Sequence, residues 1–173
     1  MCLSVNLGFH KVKDNKPIAL VAKQSILVYK VLEVKNKHYR TPYMLKGINF
    51  DDEYGMFFYK TTRFSINRTH YSYYYTQYHY DVSKGIHSYF VFDAANNASE
   101  HIKIMSGSNS NIHYAIIPKG SKFYIGIDSD IVSSNLVVFE NEAKYNENKE
   151  YFGDEPIEFS EYYKKFGTEL DSK

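Results

Sequence analysis

Six of the ten residues from Tyr71 to Tyr80 are tyrosines, and His70 and His79 flank or interrupt the run. A phenol carries a rigid apolar ring with a polar tip and loses little entropy when it is held, so such a run suits recognition by stacking and hydrogen bonding. Tyr71, Tyr73, Tyr74, Tyr75, Tyr78, Tyr80 and His79 are therefore candidate ligand- or partner-binding residues. A strand would place Tyr71, Tyr73 and Tyr75 on one face and Tyr74, Tyr78 and Tyr80 on the other, whereas a helix would group Tyr71, Tyr74, Tyr75 and Tyr78. Either geometry exposes several rings. Arg63 and Arg68 lie close enough in sequence to meet a phosphate beside them. Protein contact ranks first for this segment, a nucleotide or nucleic acid second, and sheet packing third.

Bond-making chemistry is poorly provided for. The seven histidines form no H-E-x-x-H or H-x-x-x-H pair, and one cysteine cannot build a finger-type zinc site, so no metal site is expected. Asp128 and Asp130 resemble the start of a calcium loop that lacks its later glycine and glutamate; a turn explains them better. No P-loop, dinucleotide fingerprint or nucleophile elbow is present, and no cofactor is expected. His87 and His113 are the histidines to compare as general bases, with a satisfied structural role favoured for each. His38-Tyr39-Arg40-Thr41-Pro42-Tyr43 is expected to be irregular because Pro42 lacks a donor and restricts Thr41, which makes His38 and Arg40 candidates in a binding loop.

These residues need a scaffold, and 173 residues with 43% apolar content are enough for one domain with a substantial core. No stretch approaches the roughly 18 apolar residues of a membrane helix, and Met1 to His10 does not read as a signal peptide, so a cytoplasmic protein without membrane contact is expected. The lone Cys2 leaves the fold to packing alone. From Glu140 to Lys173 ten acidic residues face five basic ones, so the tail is acidic and the body mildly basic. Scattered lysines, not a dense patch, make up that excess, which weakens direct nucleic-acid binding.

Ile26 to Val34 is β-branched and apolar on both alternating faces, as a strand covered on both sides requires. A second extended stretch is expected from Gly55 to Ile66. Asp93 is a good N-cap, and Ala95, Ala98, Ile102 and Met105 then predict a short amphipathic helix ending at Gly107. Ile112 to Ile117 and Ser121 to Ile127 read as strands joined through a hairpin turn at Pro118-Lys119-Gly120. Asn135 to Glu140 follows as another strand. Residues 141 to 155 look like a polar connector. A final helix is expected with Pro156 in its first turn, Phe159, Tyr162, Tyr163 and Phe166 on one stripe against the sheet, and Gly167 as its cap. The fold class is α+β, mainly antiparallel sheet with one or two short helices packed on it, as a domain over 1–140 followed by an acidic connector and docked helix over 141–173.

Gly85-Ile86-His87-Ser88-Tyr89-Phe90 and Ile116-Ile117-Pro118-Lys119-Gly120-Ser121 together resemble an arrangement found in small uncharacterised proteins of phages and prophages, over roughly residues 25 to 139. The resemblance implies no established activity; it implies the host cytoplasm as location and a host protein as partner. The order of elements also resembles the ADP-ribosyltransferase fold. Tyr29-Lys30 then stands where that family has Tyr-Arg or His, and His87-Ser88 where it has its serine strand. Ser133-Ser134-Asn135 occupies the place of the catalytic glutamate, and without that carboxylate an oxocarbenium-like transition state loses its anionic partner.

The expectation is a non-catalytic binding protein of a phage or mobile element that engages a host protein or nucleotide-type molecule through Tyr71–Tyr80, with inhibition of a host defence as its use. A nucleotide-using transferase or hydrolase of ADP-ribosyltransferase type ranks second, and a nucleic-acid-binding module third.

Overall fold

The computed structural model describes residues 3–42, 47–70 and 78–170. Its first strands are β1 (Leu3–Ser4), β2 (Val12–Lys13), β3 (Lys16–Pro17), β4 (Leu20–Val21), β5 (Ile26–Lys35), β6 (His38–Arg40), β7 (Gly47–Ile48) and β8 (Met56–Lys60). There follow β9 (Ser65–His70), β10 (Tyr78–Lys84), β11 (Ile86–Tyr89), helix α1 (Phe92–Ser106), β12 (Asn109–Ile117), β13 (Lys122–Ile125), β14 (Asp130–Ser133) and β15 (Asn135–Phe139). Helix α2 (Glu142–Asn148), β16 (Ile157–Glu158) and helix α3 (Phe159–Leu170) are the last described elements. Nearly all pairing is antiparallel, so the fold is α+β, with three α-helices among the described residues.

The β-branched run becomes β5, and it is the spine of the molecule. It pairs with β12 through nine residue pairs, from Ile26↔Ile117 to Val34↔Asn109. Because side chains alternate, Ile26, Val28 and Leu32 point to one face and Leu27 and Val31 to the other, and all five are buried. The principal sheet runs β4-β13-β14-β11-β5-β12-β15-β8, yet β11 and β5 are joined only through Tyr89↔Tyr29. That pinch divides the sheet into two wings. Val28, Ala115 and Leu136 from one wing then share a hydrophobic cluster with Ile86, Phe123 and Ile131 from the other. Phe159 and Tyr162 of α3 enter the same cluster, with Tyr163 and Phe166 half-buried against it, as the aromatic stripe predicts.

The outer face of β5 and β12 is covered twice. Ala95 and Ile102 of α1 pack with Val31, and Tyr145 of α2 packs with Leu27, Ile116 and Val137. On the opposite wing, a separate sheet of order β1-β10-β9 lies against β13 and β14, where Leu3, Tyr80 and Val82 meet Tyr124 and Val132.

Several local expectations are corrected. Gly55 to Ile66 is not one strand: β8 belongs to the principal sheet and β9 to the small one, with Thr61 bonded through its N–H to Ser134 O at 2.8 Å where the chain leaves β8. His38 to Arg40 is not irregular but pairs with β5, because Asn36 and Lys37 adopt positive φ and turn the chain back at once. Pro118-Lys119-Gly120 does form a turn, with Gly120 at φ 84° and Ser121 N–H bonded to Pro118 O at 3.1 Å. It is not a hairpin, however, since β12 pairs with β5 and β15 while β13 pairs with β4 and β14; it carries the chain between wings. Val91, not Asp93, is the N-cap of α1, and Met105 is 71% exposed, so the buried stripe is Ala95, Ser99 and Ile102. Gly107 ends α1 in the left-handed conformation as expected. The connector contains α2, capped by the Asn141 side chain accepting from Lys144 N–H. Pro156 precedes β16, which pairs in parallel with β5, and Gly167 lies inside α3.

Candidate functional site

β9 and β10 pair from Ile66↔Val82 to His70↔Tyr78, so residues 71–77 join the two strands of a hairpin. Tyr71, Tyr73, Tyr74 and Tyr75 lie outside the described residues. Tyr78 and His79 are placed on β10 by their backbone. Tyr80 departs from the expected surface role. It is only 6% exposed, packed with Leu3, Val82 and Tyr124, because alternation along β10 turns residues 80 and 82 to the same inward face. Arg63, just before β9, and Arg68, on it, are exposed. The far edge of β9 has no strand partner among the described residues, and the hairpin is tied to β1 by two residue pairs and by Ser4 Oγ donating to Asp81 Oδ1 at 2.7 Å.

The remaining candidates lie elsewhere and do not join this surface. His38 is exposed on β6. Arg40 is committed structurally: its Nε donates to Glu33 Oε2 at 2.7 Å, neutralising a carboxylate whose side chain is 5% exposed. His87 is half-buried on β11, and its carbonyl accepts from Lys30 Nζ at 2.5 Å.

That last contact joins the side chain of Lys30 on β5 to the backbone of β11. Lys30 occurs in a strand position that otherwise holds Ile26, Val28 and Leu32, so it is 7% exposed. Burial alone lowers its pKa to about 8, with no acid contributing. Ser88 is fully buried with no partner for Oγ among the described residues, and Ser133 Oγ donates to Asn135 O at 3.0 Å. The hydroxyl at the end of β14 thus bonds the first residue of β15.

His113 is packed rather than presented. Its Nδ1 bonds Phe139 O at 3.0 Å, and its ring stacks on Phe50 and meets Tyr39 edge-on. Burial lowers its pKa, with the backbone bonds and the charge of Glu140 opposing the shift. The bond to a carbonyl assigns the proton to Nδ1, which leaves Nε2 an acceptor without a partner among the described residues. Another buried ionisable group, Asp130, is held up to about 6 by desolvation, its Oδ1 without a hydrogen-bond partner among the described residues and lying against Gly126, where a Cβ would come within 1.9 Å.

Sequence reasoning missed one further feature, an open groove of about 460 Å³ between α1, β12 and the start of α2. Asn96 and Lys103 form one wall, Asn111 and Tyr114 the floor, and Glu140 and Glu142 the other wall. These residues carry no motif; only the end of β15 two residues before a helix cap hints that β12 loses its neighbour there. Among the described residues no three His, Cys, Asp or Glu side chains converge for a metal, and no helix is long and apolar enough to cross a membrane. Comparison with protein-family models, curated proteins and solved structures finds no match.

Proposed function

We propose that the chain is a non-catalytic binding protein that engages a protein partner through the β9–β10 hairpin and the tyrosine-rich segment at its end. The observation that carries this reading is the hairpin's construction. It belongs to a separate three-stranded sheet whose β9 edge has no strand partner among the described residues, bears exposed Arg63 and Arg68, and connects its strands through the segment richest in tyrosine. Rigid aromatics flanked by arginine are the residues that dominate protein-contact energies. The phage-like motifs support a host protein as the partner and interference with a host defence as the use, in the host cytoplasm.

Affinity capture from host lysate with mass spectrometry tests this. Changing Tyr74 and Tyr78 together to alanine should abolish capture, a loss of about 2 to 4 kcal/mol, with an unchanged thermal midpoint. Normal capture by the double variant sinks the proposal.

The transferase reading stays second on one observation, the contact between Lys30 and the backbone of His87. Against it stand the burial of Lys30 and the serine at the acid position. NAD turnover lost in Lys30→Ala would promote it.

A further inference from the structure

The ladder between β12 and β15 consists of Ala115↔Val138 and Ile116↔Val137. β12 itself begins six residues before Ala115, and its pairing with β5 runs the whole way to Asn109. On the side away from β5, Asn109 to His113 therefore have no strand partner among the described residues. Alternate residues of an antiparallel strand direct their N–H and C=O groups to opposite neighbours, so this stretch offers a row of backbone donors and acceptors to whatever lies beside it. What lies beside it is the groove. β15 ends at Phe139 while its pairing with β8 runs on through Glu140 N–H to Gly55 O, and Asn141 then caps α2 and takes the chain out of the sheet.

We propose that this edge of β12 receives an extended peptide segment of a partner, added as a strand in the space that β15 leaves, with a lysine or arginine side chain set against Glu140 and Glu142. Ser110 to Tyr114 line the groove, and five residues of strand span about 17 Å. The occupant's charge follows from the walls. Glu140 and Glu142 are both exposed, and Glu142 Oε1 is fixed by the Tyr114 hydroxyl at 3.3 Å. The facing cation, Lys103, is already paired with Glu100 at 2.7 Å, so it does not neutralise them. Main-chain bonds supply affinity in this mode, and side-chain pockets supply choice. This surface is separate from the tyrosine-rich segment, and its test does not depend on that reading.

The full chain is used to select binders from a randomised octapeptide library. The expected winners are rich in β-branched residues, share a basic residue at one fixed position, and slow amide exchange at least tenfold at those of Asn109 to His113 whose N–H groups face away from β5. Changing Glu140 and Glu142 together to glutamine should weaken those peptides about tenfold, which corresponds to about 1.4 kcal/mol, without altering the exchange of β5. N-methylation of alternate residues along one edge of a selected peptide should abolish binding, and along the other edge should not. No enrichment, winners that protect β9 instead, or winners indifferent to methylation on both edges would each overturn the proposal.

Discussion

The β5–β12 pair and the β9–β10 hairpin are both antiparallel, but they are built for opposite ends. β5 is covered on both faces and paired along its length with β12, whereas β10 is bound to the body by a two-residue β1 and one inward face, and β9 has no outer strand partner among the described residues. Where apolar side chains alternate with further apolar side chains, removal of any one leaves a cavity between two layers. Where Ile66 alternates with Asn67, half of the strand owes nothing to the core. Stability is thus concentrated in β5–β12, and β9–β10 is free to change its outward residues.

Truncation should expose this difference most plainly. Leu32→Ala removes a fully buried side chain from the inner cluster and should cost about 3 to 5 kcal/mol in urea denaturation. Ile66→Ala, on half-buried β9, should cost about 1 kcal/mol. Equal losses would make the hairpin as integral as the spine and would remove the basis for treating it as a recognition appendage.

The same spine carries a polar fault. Lys30 has a folded pKa of about 8 against an ordinary value of 10.5, so the folded state disfavours its charge. The unfolded chain binds more protons between those values, and stability therefore rises with pH from about 8 to 10.5. Lys30→Met should stabilise the fold by roughly 1 to 3 kcal/mol at pH 7, the bond to His87 O offsetting part of the gain, and its advantage should shrink as pH climbs through that window. A destabilised Lys30→Met that also loses NAD turnover would show that the charge is held there for chemistry.

Asp130 gives a smaller effect beneath the hairpin's sheet. Its folded pKa, about 6, lies above the ordinary 3.8, so the folded state binds the extra proton and stability falls as pH rises from about 4 to 6. Asp130→Asn keeps the shape against Gly126 and should gain about 1 to 2 kcal/mol at pH 7, converging with the parent near pH 4. A gain that persists at pH 4 would mean that the carboxylate's charge is not the cost.

What could be read in the sequence followed from how local each signal was. β5 was legible because both of its faces carry apolar residues in one unbroken run, and α3 because Phe159, Tyr162, Tyr163 and Phe166 recur at helical spacing. β6 was hidden by a turn made from Asn36 and Lys37 at positive φ, with no glycine to announce it. The turn at Pro118 to Gly120 was read correctly as a turn and wrongly as a hairpin, since turn geometry is local but strand partnership depends on the Tyr89↔Tyr29 pinch far away. Tyr80 was misplaced for a related reason: its inward direction is set by Val82 and by the sheet it shares with Leu3, not by the tyrosines before it. The groove at β12 was invisible because a missing strand partner leaves no residue to read.

The smallest expected stability change separates the two regions most finely. Arg63 and Arg68 are exposed at and just before β9, so changing both to alanine removes charge without opening a cavity, and the denaturation midpoint should stay within about 0.5 kcal/mol. Binding should respond differently. Exposed charges at the rim of an aromatic surface steer encounter more than they hold the complex, so the double variant should lower the association rate by about tenfold and leave dissociation nearly unchanged. Raising salt from 0.05 to 0.5 M should reproduce most of that loss in the parent chain and little in the variant, because screening removes what the substitutions have already removed. Tyr74→Ala with Tyr78→Ala should show the reverse pattern, faster dissociation with association preserved. If the arginine variant instead releases its partner faster at every salt concentration, the arginines form the buried centre of the contact, and the tyrosine-rich segment is its margin.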